Sequence, residues 1–86
     1  GFLVVALTTD RVTGRILAGP ELISRGFVHL SESEDLLDRA RSEVVKTVQG
    51  GGGRAVLTGR IKEALSRFVY SETKRRPLIL PMVMEV

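Results

Sequence analysis

Residues 2–9, FLVVALTT, are the stretch that decides the fold of this 86-residue chain. Valine and threonine favour β-strands, leucine adds apolar side chains to bury, and eight residues is an ordinary strand length. We therefore predict a strand from Phe2 to Thr9 that is buried on at least one face. Asp10–Gly14 follows with turn chemistry, so Arg15–Gly19 is predicted to return as the second strand of a hairpin.

Two prolines restrict the pairing of the remaining strands. Pro20 has no backbone N–H, so we expect the pairing of the second strand to end there. A short third strand is predicted around Phe27–Leu30, and Gly26 before it would permit a bulge. The last strand is predicted over Leu78–Val86. Because Pro81 lies inside it, we place this strand at a sheet edge or give it a bulge at Pro81.

The centre of the chain has helical periodicity. Ser31 followed by Glu34 is a capping-box pattern, with Ser33 as a rival N-cap. The first helix, about four turns long, is predicted to end at Gly50 and to bury one apolar face. The members of that face are Leu37, Ala40, Val44 and Val48.

A second helix is predicted to follow and to end at Pro77, with its first turns weakened by Gly59. One side is apolar and the opposite side is charged. The apolar side holds Leu57, Ile61, Ala64, Leu65 and Phe68, and the charged side holds Arg60, Lys62, Glu63 and Arg67. The chain is thus predicted to be one α+β domain over residues 1–86, a small three- to four-stranded sheet with two helices packed on one face. The other sheet face must be solvated or covered, and its apolar character favours a partner.

Composition limits the classes of function. The chain has no cysteine, which excludes disulfides and thiolate metal sites and is compatible with a cytoplasmic protein. No apolar run approaches the roughly 20 residues of a membrane span, so no membrane partner is expected. Between residues 50 and 86, seven basic residues stand against three acidic ones. Such a bias suits either a polyanionic ligand or an ordinary solvated surface.

The sequence offers no catalytic, cofactor-binding or metal-binding residues. His29 is the only histidine, and its place between two apolar residues favours a surface or edge-strand position over catalysis. Helix capping explains the acidic cluster at the start of the first predicted helix without acid–base chemistry. That cluster consists of Glu32, Glu34, Asp35 and Asp38.

Two segments have a candidate binding role. Gly50–Gly53, between the predicted helices, is compared with the GxxG loop by which KH domains clamp nucleotides, but a run of glycine is more typical of a linker. Lys74, Arg75 and Arg76 form the densest basic cluster. These three residues either complement the negative end of the second helix or contact RNA or a partner chain.

Two blocks of the chain resemble the closing domain of ribonuclease J in order, spacing and their ending at Met-Glu-Val. They are Thr13–Val28 (TGRILAGPELISRGFV) and Thr73–Val86 (TKRRPLILPMVMEV), and the resemblance extends from Phe2 to Val86. Ribonuclease J enzymes are bacterial metallo-β-lactamase/β-CASP ribonucleases that degrade RNA from its 5′ end and also cut it internally. Their zinc ligands lie in the β-lactamase part, and no position here matches them.

The resemblance implies a fragment of a larger enzyme, which is also how we interpret Gly1 in place of an initiating Met. It implies no cofactor in this fragment, zinc in the catalytic domain of the parent, and cytoplasmic RNA processing and decay. Our first hypothesis is a domain that is not catalytic alone and supports homo-oligomerisation and activity of the parent. The alternative is a small RNA-binding module, either KH-like or merely basic on its surface.

Overall fold

A computed structural model describes residues 1–26 and 30–86, and the side chains of residues 1–26 and 34–86. The order of elements is β1 (Phe2–Thr9), β2 (Ile16–Arg25), α1 (Leu30–Gln49), α2 (Arg54–Thr73) and β3 (Leu78–Glu85). Within this part of the chain the strands form a three-stranded sheet in the order β2-β1-β3. The predicted α+β class, with two helices beside a small sheet, is confirmed.

β1 is the central strand, antiparallel to β2 and parallel to β3. Its side chains alternate between two environments, as the pleat of a strand requires. Leu3, Val5, Leu7 and Thr9 are at most 3% exposed and face the helices, whereas the residues between them are less buried. The described core combines these side chains with the inner faces of both helices and β3. Its hydrophobic members are Leu3, Val5, Leu7, Ala40, Val44, Val48, Leu57, Ile61, Leu65, Val69, Ile79 and Val83.

The apolar helix faces follow the predicted periodicity with small shifts. In α1, Ala40, Val44 and Val48 are buried as predicted, but Leu36 is buried and Leu37 only packs against the edge of the core. In α2, every fourth residue from Leu57 onward is buried, ending with Val69. Ala64 and Phe68 flank this stripe and are half-buried, with Phe68 packed against the edge of the core.

β2 differs most from the prediction. Pairing does not end at Pro20, because β1 pairs with β2 as far as Arg25. The register shifts between Ala6 and Thr8, so β2 carries an extra residue there, and the Gly19–Pro20 peptide is cis. The bulge places Pro20, which lacks an N–H, within the strand. Arg41 Nε of α1 donates a hydrogen bond of 3.0 Å to the Pro20 carbonyl and fixes the bulge to the helix layer.

The start of α1 was also predicted wrongly. α1 already includes Leu30, so Ser31 and Ser33 lie inside the helix instead of at its N-cap. Serine and glutamate are tolerated throughout a first turn, and the pattern alone therefore does not fix the first residue. Of the predicted third strand, Leu30 is helical, while residues 27–29, including His29, lie outside the described residues.

The end of α2 comes four residues before Pro77, not at it. Lys74 has left-handed backbone angles and donates its N–H to the Tyr70 carbonyl at 2.8 Å, which closes the helix after Thr73. β3 then begins at Leu78 and pairs with β1 in an unbroken register. Its predicted position at an edge of the sheet is confirmed, and no bulge occurs at Pro81.

The bulge in β2 requires glycine at position 19. A Cβ atom there would lie 2.6 Å from the Ala6 carbonyl oxygen, whereas Gly14 has a similar positive φ and open space around it. We predict that Gly14→Ala costs about 1 kcal/mol, the cost of a left-handed residue with a side chain. Gly19→Ala should cost about 1–3 kcal/mol more, because backbone must move to relieve the clash. Chemical denaturation measures both, and equal costs would contradict this account of the bulge.

Candidate interaction surface

The sheet face turned away from the helices is apolar and uncovered within the described chain. On β1 this outer face carries the residues that alternate with the core, and paired residues of β2 and β3 lie beside them on the same face. The four outward side chains of β3, which are Leu78, Leu80, Met82 and Met84, are 39–61% exposed. The outer face consists of Phe2, Val4, Ala6, Thr8, Ala18, Glu21, Ile23, Arg25, Leu78, Leu80, Met82 and Met84.

The outer face extends across all three strands. The eight residues of β1 and of β3, at about 3.3 Å each, and strand spacings of about 4.8 Å give it dimensions of roughly 26 Å by 14 Å. A contiguous apolar surface of this kind marks an interaction site more often than single exposed apolar residues do. The outer face is therefore the strongest candidate for a functional surface in the described chain.

The outer face is not flat. A depression of about 220 Å³ lies over Ala6 and is bounded by Glu21, Met82 and Met84. It exists because Ala6, Ala18 and Gly19 have little or no side chain, while the methionines beside them are long. At the other end of β1, Phe2 places an aromatic ring on the same face, and the residue is 37% exposed. The outer face thus has a large ring at one end of β1 and a hollow near the other.

The open edge of β3 is poorly suited to strand addition. The N–H of Leu78 bonds to the Gly1 carbonyl and that of Val86 to the Thr9 carbonyl, both at 3.0 Å. Even-numbered residues of β3 therefore direct their backbone groups to β1, and odd-numbered residues direct theirs to the open edge. Pro81 occupies the middle of that edge and has no N–H to donate, which disfavours another strand there.

The structure brings Lys74 and Arg76 of the predicted basic cluster together around Tyr70, which the sequence analysis did not single out. Lys74 Nζ lies 5.3 Å and Arg76 Cζ 4.5 Å from the centre of the Tyr70 ring. The backbone N–H of Arg75 donates to Thr73 Oγ1 at 3.0 Å. Cation–π contact gives Lys74 and Arg76 a role within the chain, and contact with RNA or a partner stays a prediction. The spacing of four residues between Tyr70 and Lys74 is the signal that could have identified the ring.

Gly50–Gly53 connects α1 to α2. The N–H groups of Gly50 and Gly51 donate to the Thr47 and Val48 carbonyls, which closes α1, and Arg60 Nη1 donates to the Gly51 carbonyl at 3.0 Å. Two of the four N–H groups are thus used inside the chain. This favours the connecting role over a nucleotide clamp.

The part of the chain that the structure describes holds no metal-binding cluster that competes with the outer face. Among the described residues, no group of three or more His, Asp or Glu side chains could hold a metal ion. The same residues include no helix long and apolar enough to cross a bilayer. A depression of about 490 Å³ between the β1–β2 turn and α1 contains Arg15 as its one charged lining residue, which supplies no acid–base pair.

The resolved pKa shifts have structural causes away from the outer face. The N–H groups of Thr13 and Val12 donate to the Asp10 carboxylate in the β1–β2 turn and lower the pKa of Asp10. The hydrogen bond from Arg39 to Glu72, 2.7 Å long, raises the pKa of the Arg39 guanidinium and joins α1 to α2. Both arrangements stabilise the fold and neither creates a reactive group.

The comparisons with known proteins agree with the sequence motifs. The family model for the ribonuclease J C-terminal domain matches residues 1–86. The chain is 38% identical over 91 residues to Ribonuclease J2 of Bacillus subtilis (strain 168) and 36% identical over 91 residues to Ribonuclease J 2 of Staphylococcus aureus (strain NCTC 8325 / PS 47). Each match includes 100% of this chain and 16% of the relative, so the chain spans about a sixth of the length of these proteins.

The assignment of the two sheet faces can be tested with neighbouring residues. Ile79 is 2% exposed beneath the helices, whereas Leu80 lies on the outer face. In dilute solution we predict that Ile79→Ala lowers the free energy of unfolding by about 2–4 kcal/mol. Leu80→Ala should lower it by less than about 1 kcal/mol. Urea denaturation of the two variants measures this difference, and equal losses would mean that the chain covers both faces.

Proposed function

Because this chain belongs to the ribonuclease J C-terminal domain family, we propose that it is a non-catalytic association domain of a ribonuclease J-type enzyme. In this proposal the domain supports oligomerisation of the enzyme, and through it the processing and decay of RNA in the cytoplasm. The chemistry, which includes zinc and the cleavage of RNA from the 5′ end or internally, belongs to the remainder of a longer polypeptide. The observation that carries the proposal is the uncovered apolar outer face.

The occupant of the outer face in this proposal is a second copy of the chain. Burial of apolar surface favours association by about 25 cal/mol per Å² before the entropy of association is subtracted. A face with four exposed β3 side chains thus supplies a driving force on the side opposite the helices. Linking protomers through such domains stabilises them by mass action and raises the effective concentration of the attached catalytic domains.

The proposal predicts that charges on the outer face weaken assembly. In a longer ribonuclease that carries this domain, Leu80→Lys with Met82→Lys should weaken association at least about tenfold, because two ammonium groups would be desolvated. Turnover of RNA should fall with the loss of oligomer. Size-exclusion chromatography with light scattering measures the assembly, and deletion of residues 1–86 should have the same effect.

The matched control is Val12→Lys with Val56→Lys, which places the same two charges on exposed apolar residues of the β1–β2 turn and of α2. This control should keep the oligomer and the turnover of the parent. An unchanged oligomer and unchanged turnover in the Leu80→Lys/Met82→Lys enzyme would contradict the proposal. The melting temperature of each variant of the 86-residue chain establishes that the fold is retained.

A second candidate function is RNA contact through Lys74–Arg76. The observation that favours it is Tyr70, a residue 39% exposed whose ring is flanked by the cations of Lys74 and Arg76. Exposed aromatic rings beside basic side chains are typical of surfaces that bind single-stranded nucleic acid by stacking and phosphate contact. This candidate is compatible with the first, because the cluster lies beyond the end of α2 and not on the outer face.

This second candidate predicts salt-sensitive binding of a short single-stranded RNA, measured by fluorescence anisotropy. Alanine at all three positions of Lys74–Arg76 should weaken the binding at least about tenfold. A control with the same loss of charge replaces the exposed residues Arg11, Lys46 and Lys62 by alanine and should weaken it less. No binding at low salt, or equal losses in both triple variants, would exclude a local contact.

A further inference from the structure

We propose that two copies of the chain pack outer face to outer face about a two-fold axis that crosses the strands at Val4, so that Arg25 of each copy faces Glu21 of the other. This inference rests on the proposed function and specifies the geometry of its interface. It is carried by the order of residues across the outer face, by the shape of that face and by the positions of its two charges.

The sheet register arranges the outer face in rows. The first row is Leu78, Phe2 and Arg25, the second is Leu80, Val4 and Ile23, and the third is Met82, Ala6 and Glu21. The second row is entirely apolar. The first and third rows end on β2 with opposite charges, separated by four residues or about 13 Å along the strand.

Only one way of stacking two such faces with two-fold symmetry pairs these charges. An axis parallel to the strands would place β2 over β3 of the second copy, so that Arg25 and Glu21 would meet apolar side chains. An axis perpendicular to the sheet would join edges instead of faces, and Pro81 disfavours this at β3. An axis across the strands at the second row exchanges the first and third rows, which brings each Arg25 over a Glu21.

The same two-fold rotation also brings complementary shapes of the outer face together. It places the Phe2 ring of one copy over Ala6 of the other, where the depression of about 220 Å³ lies. Leu78 meets Met82 in the same exchange, and the apolar second row packs on itself. Phe2 and Ala6 are each two residues from Val4, so the rotation sets a large ring opposite a small side chain at both ends of β1, as an isologous interface requires.

The charges of Arg25 and Glu21 are available to pair with a second copy of the chain. Neither Arg25 nor Glu21 forms an ion pair with another described residue, and Arg25 Nη1 donates to the carbonyl of its neighbour Ser24 at 3.0 Å. Both residues are exposed at the β2 margin of the outer face. Such rim charges fix register and partner choice more than they add affinity.

The size of the face sets the conditions of the test. Two surfaces of roughly 26 Å by 14 Å bury less than about 1,200 Å² together, the low end for specific interfaces. The 86-residue chain should therefore dimerise weakly, in the micromolar to millimolar range, and more tightly when a longer polypeptide adds further contacts. Sedimentation equilibrium over that range is the suitable measurement.

The decisive experiment reverses the charges at positions 25 and 21, first one at a time and then together. Arg25→Glu and Glu21→Arg, each studied alone, should weaken dimerisation at least about tenfold, since both place like charges opposite each other twice. An equimolar mixture of the two single variants should restore the dimer, because each copy then presents what the other needs. The variant with both substitutions should dimerise like the original chain. Leu80→Lys with Met82→Lys should abolish the dimer in every background.

The outcomes separate a failure of this interface geometry from a failure of the proposed function. Failure of the mixture and of the doubly substituted variant to restore the dimer would overturn the inference, as would a chain that stays monomeric at millimolar concentration. Loss of assembly by Leu80→Lys/Met82→Lys, with no effect of the charge variants, would overturn this geometry and leave the proposed function standing. No effect of any variant on assembly of the longer enzyme would overturn both. Melting temperatures of the single variants test their folding.

Discussion

The alternation of side chains along β1 is the constraint on which the rest of the structure depends. Leu3, Val5 and Leu7 form the floor of the core, and both helices are used to cover that one face. Since a strand has a side-chain period of two, the same apolar sequence directs Phe2, Val4 and Ala6 to the opposite side. With the described helices packed on the inner face, the outer face is left open to a partner.

Periodicity in the sequence predicted those parts of the structure that depend on local rules. β1 and the buried faces of both helices follow from patterns that repeat every two or every three to four residues. The edge position of β3 follows from Pro81, which has no N–H to donate. β2 beyond Pro20 was not predictable in this way, because its pairing depends on a bulge where Gly19 approaches the Ala6 carbonyl. The end of α2 was not predictable from the sequence either, because Lys74 closes the helix by its backbone angles and not by its side-chain type.

For the same reason, the sequence predicted only part of the outer face. An uncovered apolar sheet face was expected, but ending β2 at Gly19 removed Glu21, Ile23 and Arg25 from it. The extension of β2 adds an apolar residue and two opposite charges to the margin of the outer face. Because these two charges are opposite and lie in different rows, they restrict the orientations in which a partner can pack on the apolar face. Tyr70 was likewise missed because it lies outside the apolar stripe of α2, although it organises two of the predicted basic residues.

In the proposed assembly the outer face is an interface of a ribonuclease J-type enzyme, and the chain's two methionines report on it directly. Met82 and Met84 both lie on that face and are more than half exposed. Their oxidation by dilute peroxide, followed by mass spectrometry, can be compared between the 86-residue chain at low concentration and the assembled longer enzyme. The account predicts ready oxidation of both in the chain and clear protection in the assembly. Equal oxidation rates in the two samples would contradict it.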